Sequence, residues 1–145
     1  MEIYTIGFTK KTAEEFFKRL KENKIERLVD VRLNNTSQLA SFAKIPDLKY
    51  FLEKLCNIEY LHEPILAPTQ DILDKFKKEK GSWENYTSSF MNLMQKRMIE
   101  DKIDPKLFDK KTVLLCSEHT HENCHRSLVI DYLNQKWGDV KACNI

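Results

Sequence analysis

Short apolar runs alternate with amphipathic segments along most of the chain. Runs that predict β-strands lie at residues 3–6, 28–31, 58–61 and 112–115, and a weaker run that predicts an edge strand lies at 140–143. Apolar residues recur at helical spacing at residues 13–23, 47–55, 69–102 with a break near Gly81, and 123–136. Strands that alternate with helices favour right-handed crossovers and a parallel sheet. We therefore predict an α/β fold: a single three-layer domain spanning residues 1–145, with a mostly parallel sheet of about five strands flanked by helices.

Composition narrows the class of protein without identifying a partner. The 145 residues are 41% hydrophobic and 32% charged, which fits a compact folded chain. A net charge of +2 gives no whole-molecule argument for binding nucleic acid or an anionic membrane. The first residues already form a strand-like run rather than a signal sequence, and no apolar run approaches the roughly 18–20 residues that cross a bilayer. We expect a cytoplasmic protein without a membrane partner, whose four cysteines serve as thiols, ligands or nucleophiles.

Polar residues follow each of the first three predicted strands. Thr5 and Gly7 close the first strand, Asp30 and Arg32 the second, and His62 the third. Because the carboxyl ends of parallel strands meet at one edge of a sheet, these residues are expected to converge on one crevice. The segment 116–127 follows the fourth strand and joins them there.

The segment 116–127 concentrates reactive side chains: two cysteines, three histidines, an arginine and two carboxylates. Cys124 lies at the predicted start of the last helix, where the helix dipole and the neighbouring His125 and Arg126 favour its thiolate. The leading hypothesis is nucleophilic chemistry by Cys124, assisted by Cys116 or by Glu118 as an acid or base.

The remaining candidates complete an anion-binding site around that thiolate. Arg32 and Arg126 are expected to hold a phosphate or carboxylate through bidentate contacts. Asp30 would orient a histidine or form an ion pair with Arg32. The other predicted substrate-binding residues are Thr5, Gly7 and His62.

One known cysteine–arginine arrangement is excluded by spacing. The tyrosine-phosphatase loop needs five residues between its cysteine and its arginine. Nine residues separate Cys116 from Arg126, and one residue separates Cys124 from it. The sequence therefore contains no phosphatase loop of that kind.

Three other hypotheses remain open. Cys116, His119, Cys124 and His125 are suitable ligands for zinc or iron, although their spacing matches no standard zinc motif. Cys116 and Cys124 would form a reversible disulfide if their Cα atoms lie within about 7 Å. A non-catalytic module would bind a nucleotide or short nucleic acid through the arginines, with Phe8, Phe42 or Tyr60 stacking on bases. None of these hypotheses specifies an oligomeric state.

Several motifs occur together in an order that resembles one protein family. They are Thr5-Ile6-Gly7, Val29-Asp30-Val31-Arg32, Phe42-Ala43-Lys44, Tyr60-Leu61-His62, Leu115-Cys116-Ser117-Glu118 and Cys124-His125-Arg126-Ser127. This set is similar to the domain of unknown function 488 family. The resemblance implies a small cytoplasmic α/β protein whose cysteine motifs suggest metal binding or catalysis. Phe8 departs from the family pattern, which usually has His or Tyr after the Thr-Ile-Gly turn.

Overall fold

The computed structural model describes residues 1–36, 41–118 and 123–145, and its centre is a sheet of five parallel strands in the order β3-β2-β4-β1-β5. The strands are β1 (Glu2–Gly7), β2 (Arg27–Asp30), β3 (Glu59–His62), β4 (Thr112–Cys116) and β5 (Lys141–Asn144). The α-helices are α1 (Ala13–Glu22), α2 (Asp47–Tyr50), α3 (Gln70–Lys77), α4 (Trp83–Arg97), α5 (Ile99–Lys102) and α6 (His125–Trp137). A π-helical turn, Phe51–Leu55, extends α2, and 3-10 turns lie at Ser41–Ala43, Pro64–Leu66 and Pro105–Phe108. The predicted α/β class and parallel sheet are confirmed.

Local sequence signals determine where the helices begin and end. Thr12, Thr69 and Ser82 each accept a backbone N–H bond that caps α1, α3 and α4 respectively. The predicted break near Gly81 is confirmed, and a second break at Met98, where φ is 54°, was not predicted. The longest described helix, α4, has 15 residues, and no helix in the described ranges is long and apolar enough to cross a membrane.

The helices cover both faces of the sheet. On one face, Phe16 and Leu20 of α1 pack with Leu48 of α2 against the sheet. On the other face, α4 and α6 pack together, with Phe90 and Leu133 in the core. The sheet thus lies between two layers of helices. The polar side chains at its carboxyl edge lie between the ends of these two layers.

Strand β4 is the centre of this architecture. All five of its residues are buried, and it pairs with β1 on one side and β2 on the other. In that register Leu115 lies opposite Ile6 of β1 and Asp30 of β2, and Cys116 lies opposite Gly7. The carboxyl ends of β1, β2 and β4 therefore lie at the same edge of the sheet, with their polar residues side by side.

Replacement of Leu114 in β4 by alanine tests this central packing. Leu114 is fully buried, so Leu114→Ala should lower the free energy of unfolding by about 2–5 kcal/mol through lost burial and a cavity. Leu55→Ala is the matched control, because Leu55 is 62% exposed, and it should change stability by less than about 0.5 kcal/mol. Urea unfolding of both variants measures the difference; equal losses would contradict the assigned core.

Candidate active site

A cleft opens where β2 and β4 end. From β2 the chain continues to β3, at one end of the strand order. From β4 it continues through α6 to β5, at the opposite end of the strand order. Adjacent strands that send their connections in opposite directions create a crevice, the usual ligand position in open parallel sheets. The cleft has a volume of about 340 Å³ and is bordered by residues 32–34, 116–118 and 123–125, together with residues of α3, Pro68 and Tyr86.

A buried ion pair forms one wall of the cleft. Oδ1 and Oδ2 of Asp30 accept from Nε and Nη2 of Arg32, each at 2.8 Å. The same carboxylate accepts from the Arg32 backbone N–H at 3.1 Å and from the Tyr60 hydroxyl at 2.5 Å. Burial, followed by the Asp30 charge, raises the pKa of Tyr60, so its hydroxyl stays protonated as a donor. With these four bonds, Asp30 is committed to fixing the orientation of Arg32.

Phe8 and His62 also hold Arg32 in place, and one nitrogen of its guanidinium remains available as a hydrogen-bond donor. Its guanidinium carbon lies 5.3 Å from the centre of the Phe8 ring, and its carbonyl oxygen lies 2.8 Å from Nε2 of His62. His62 must donate there, which leaves Nδ1 to accept from Asn35 at 3.4 Å. Within the described part of the chain, Nη1 of Arg32 has no hydrogen-bond partner. Arg32 therefore presents one unused donor in a fixed position at the cleft.

The two candidate cysteines lie together in the cleft wall. Cys116 ends β4, and Cys124 is the N-cap residue of α6, where no side-chain capping bond is made. Both side chains are buried, their Sγ atoms are in direct contact as a disulfide pair, and their Cα atoms are 7.7 Å apart. The sulfurs therefore meet although the backbone separation slightly exceeds the limit of about 7 Å used in the sequence hypothesis.

Arg126 is a buried cation with an incomplete set of partners. It is 2% exposed, and its Nη1 donates to Sγ of Cys116 at 3.0 Å and to the carbonyl oxygen of Glu118 at 2.9 Å. Its Nε is buried without a hydrogen-bond partner, and among the described residues no carboxylate forms an ion pair with it. Burial lowers the pKa of Arg126 to about 10, against an opposing effect of the Glu118 charge, so the guanidinium remains charged at neutral pH. Once the disulfide is reduced, the sulfur of Cys116 is a group in contact with Arg126 that can carry a balancing charge.

Lys11 indicates that the surroundings of Arg126 are positive. The Lys11 side chain is 8% exposed, and burial lowers its pKa to about 8, with further lowering from Arg19 and Arg126. Glu15 opposes this shift without reversing it. An anion near Arg126 would relieve repulsion that these cations otherwise experience.

Gly7 makes room for Arg126. A Cβ atom at Gly7 would lie 1.4 Å from the Glu118 carbonyl oxygen and 2.6 Å from Nη1 of Arg126. The loop after β4 therefore crosses directly over the end of β1, where Thr9 also donates its backbone N–H to the Ser117 carbonyl at 3.0 Å. Gly7 was predicted to bind substrate. In the structure it packs against the Glu118 backbone, and its lack of a side chain leaves space for Arg126.

His125 is the first residue of α6 and borders the cleft. Its Nε2 lies 2.7 Å from the carbonyl oxygen of Val31, so Nε2 carries the proton and Nδ1 the lone pair. Burial lowers its pKa to about 4, against an opposing effect of the Val31 bond, and the ring is neutral at pH 7.

Glu118 joins the loop after β4 to α3. Its Oε1 lies 2.6 Å from Nζ of Lys77, and both side chains are substantially exposed. Lys77 borders the cleft because the path of α3 in the fold brings it there, which its position in the sequence does not reveal. The negative charge of Glu118 also contributes, after burial, to the raised pKa of Tyr86 on α4.

The remaining predicted residues have other positions or lie outside the described ranges. Thr5 is buried and bonds Asn144 of β5 rather than bordering the cleft. His119 lies outside the described residues, and within 1–36, 41–118 and 123–145 no group of three or more His, Cys, Asp or Glu side chains is arranged to hold a metal ion. Of the aromatic residues considered for base stacking, Phe8 lies against Arg32 and Phe42 packs against Phe16.

The fold and this geometry define a class: a parallel α/β protein with a cysteine–arginine cluster at the switch point of its sheet. Residues 12–133 match the family described as "Domain of unknown function DUF488", and the chain belongs to that family. The match includes the loops after β2, β3 and β4 and leaves β1 and β5 outside. No curated protein and no solved structure matches the chain.

Replacement of Gly7 by alanine tests the close contact between β1 and the loop after β4. The added Cβ would overlap the Glu118 backbone, so Gly7→Ala should lower the free energy of unfolding by at least about 2 kcal/mol. Gly138→Ala is the control: its Cβ would enter open space at φ 73° and ψ 156°, which adds conformational strain of about 1–3 kcal/mol without a clash. Urea unfolding compares the two, and a smaller loss at Gly7 than at Gly138 would contradict the close crossing.

The low pKa of His125 predicts a pH-dependent stability. Between about pH 6.5 and pH 4 the unfolded chain binds a proton at this residue and the folded chain does not. The free energy of unfolding should therefore fall on acidification, with this residue contributing up to about 1.4 kcal/mol per pH unit. His125→Gln keeps an N–H donor for Val31 and should flatten that part of the profile in urea titrations. An unchanged slope would contradict the assignment.

Proposed function

We propose that the protein is a thiolate-dependent enzyme that acts on a small anionic substrate in the cleft between β2 and β4. The single observation that carries this proposal is Arg126: a buried guanidinium with no carboxylate ion pair among the described residues, 3.0 Å from the sulfur of Cys116. Burying a charge without an ion-pair partner is costly, and ionisation of the reduced Cys116 supplies a negative charge in direct contact with it. The arrangement therefore favours a thiolate, which is the nucleophilic form of cysteine.

The contact with Arg126 favours Cys116 as the attacking thiolate. The sequence pointed to Cys124 because it begins a helix, whose dipole favours a negative charge at that end. A direct hydrogen bond from a charged donor, however, is a stronger stabilisation than a helix end. We assign the attack to Cys116 and keep Cys124 as the second thiol of the site.

Arg32 supplies the substrate contact in this proposal. Its position is fixed by Asp30, Phe8 and His62, and its Nη1 remains to donate to an anionic group of the substrate. Asp30 and His62 act as positioning residues, because each contacts Arg32. Glu118 holds Arg126 through its carbonyl oxygen and α3 through Lys77, so we assign it a structural part rather than proton transfer.

The chemical step is derived from these roles. The Cys116 thiolate donates an electron pair to the electrophilic atom of the substrate and forms a covalent bond through Sγ. The bond to the leaving group breaks, and its electron pair departs with that group. No external base is needed at the moment of attack, since Arg126 has already stabilised the deprotonated sulfur.

Site-resolved titration of the cysteines tests the proposal. Fully reduced protein is treated briefly with iodoacetamide across pH 4–10, and labelling at each cysteine is measured by mass spectrometry. We expect the labelling midpoint of Cys116 below pH 7, because an adjacent guanidinium typically lowers a pKa by about 1–3 units. Cys56 and Cys143 are partly exposed cysteines of the same chain and serve as internal references.

Two arginine variants separate the local effect from a general one. Arg126→Gln should raise the Cys116 midpoint by about one unit or more. Arg27→Gln is the control, since Arg27 pairs with Glu59 at the amino ends of the strands, and it should leave the midpoint unchanged. A wild-type Cys116 midpoint equal to or above that of Cys143 would overturn the proposal, whatever the variants do.

A further inference from the structure

We infer that Cys116 and Cys124 act as a dithiol that reduces small disulfides bearing an anionic group. This inference rests on the proposed function and specifies its substrate class. It is carried by the two sulfurs, which are in direct contact, both buried, in the wall of one cleft. A single nucleophile would need no second cysteine within bonding reach, whereas a dithiol needs that proximity.

The contact between the sulfurs determines the fate of a disulfide adduct formed on Cys116. An adduct bonded through a substrate atom that leaves readily as an anion, such as sulfur, lies beside Cys124, whose thiolate can attack Sγ of Cys116 and displace it. The product of such a displacement is the Cys116–Cys124 disulfide, so the protein loses two electrons in each cycle. The substrate must accept those two electrons, and a disulfide does so by thiol exchange alone.

The exchange balances in two steps. The Cys116 thiolate attacks one substrate sulfur, the substrate S–S bond breaks, and the first substrate thiolate leaves. Cys124 then loses its proton to solvent and attacks Sγ of Cys116, and the second substrate thiolate leaves. The substrate is reduced to two thiols and the protein is oxidised to one disulfide, which an external thiol reductant returns to the dithiol.

The rest of the cleft selects among disulfides. Leu73 and Phe76 of α3, with Leu33 and Pro68, give it an apolar side, whereas Arg32 presents its unused Nη1. A substrate with a compact apolar body and a carboxylate or similar anionic group complements both surfaces. The volume of about 340 Å³ suits a small molecule.

Stoichiometry with a chromogenic disulfide tests the dithiol. The protein carries Cys56→Ser and Cys143→Ser, so that the site cysteines alone react, and it is reduced and freed of reductant. The probe is 5,5′-dithiobis(2-nitrobenzoate), an aromatic disulfide with two carboxylates. We expect two equivalents of thionitrobenzoate per chain and an unlabelled protein with one internal disulfide. Cys124→Ser in the same background should release one equivalent and retain the other as a stable mixed disulfide.

Charge selectivity tests the substrate class on the unmodified site. Rates are compared for 3,3′-dithiodipropionate, 2-hydroxyethyl disulfide and cystamine, which are anionic, neutral and cationic alkyl disulfides. Each rate is divided by that of a free small thiol to remove intrinsic reactivity. We expect the anionic disulfide to react about tenfold faster than the cationic one, equivalent to about 1.4 kcal/mol. Arg32→Gln should reduce this preference, and Arg27→Gln should not.

The outcomes separate this inference from the proposed function. A stable mixed disulfide and a single equivalent from the protein with both site cysteines would overturn the dithiol, while a low Cys116 midpoint in the alkylation titration would still support a thiolate enzyme. Equal normalised rates for the three alkyl disulfides would overturn the anionic substrate class. A high Cys116 midpoint together with two released equivalents and an unlabelled protein would support the dithiol and overturn the thiolate assignment.

Discussion

The pairing of β4 between β1 and β2 is the constraint on which the rest of the molecule depends. This register places Cys116 opposite Gly7 and Leu115 opposite Asp30. The carboxyl ends of three strands that are distant in sequence therefore meet at one edge of the sheet. A slip of one residue would turn every β4 side chain to the other face of the sheet. Burial of all five β4 residues opposes such a slip, and the hydrophobic core therefore also holds the geometry of the cleft.

The two buried arginines of the site have opposite electrostatic situations. Arg32 is neutralised by Asp30 through a bidentate contact, which offsets part of the cost of burying both charges and still leaves Nη1 as a donor. Arg126 has a sulfur and a carbonyl oxygen where a carboxylate would be expected. In the proposed function, one arginine serves recognition and the other changes the chemistry of its neighbour, although both are nearly inaccessible to solvent.

The sequence predicted the class of fold and the edge of the sheet, because apolar periodicity and the rule for parallel strands are local and general. The Asp30–Arg32 pair was among its alternatives, since the two residues are close in the chain. The contact of Arg126 with Cys116 was not predicted, nor was the steric need for Gly7, because both depend on β4 lying between β1 and β2. The break at Met98 was also missed, since nothing in residue type marks that non-glycine residue as left-handed.

The crossing of the β4 loop over Gly7 has a consequence for other members of the family. Any member with a side chain at this position must route that loop differently, because a Cβ atom there would coincide with backbone. A different route would also move the carbonyl oxygen that helps to hold Arg126. A residue other than glycine at this one position therefore marks relatives that cannot have this loop path, and it does so before any of their structures is known.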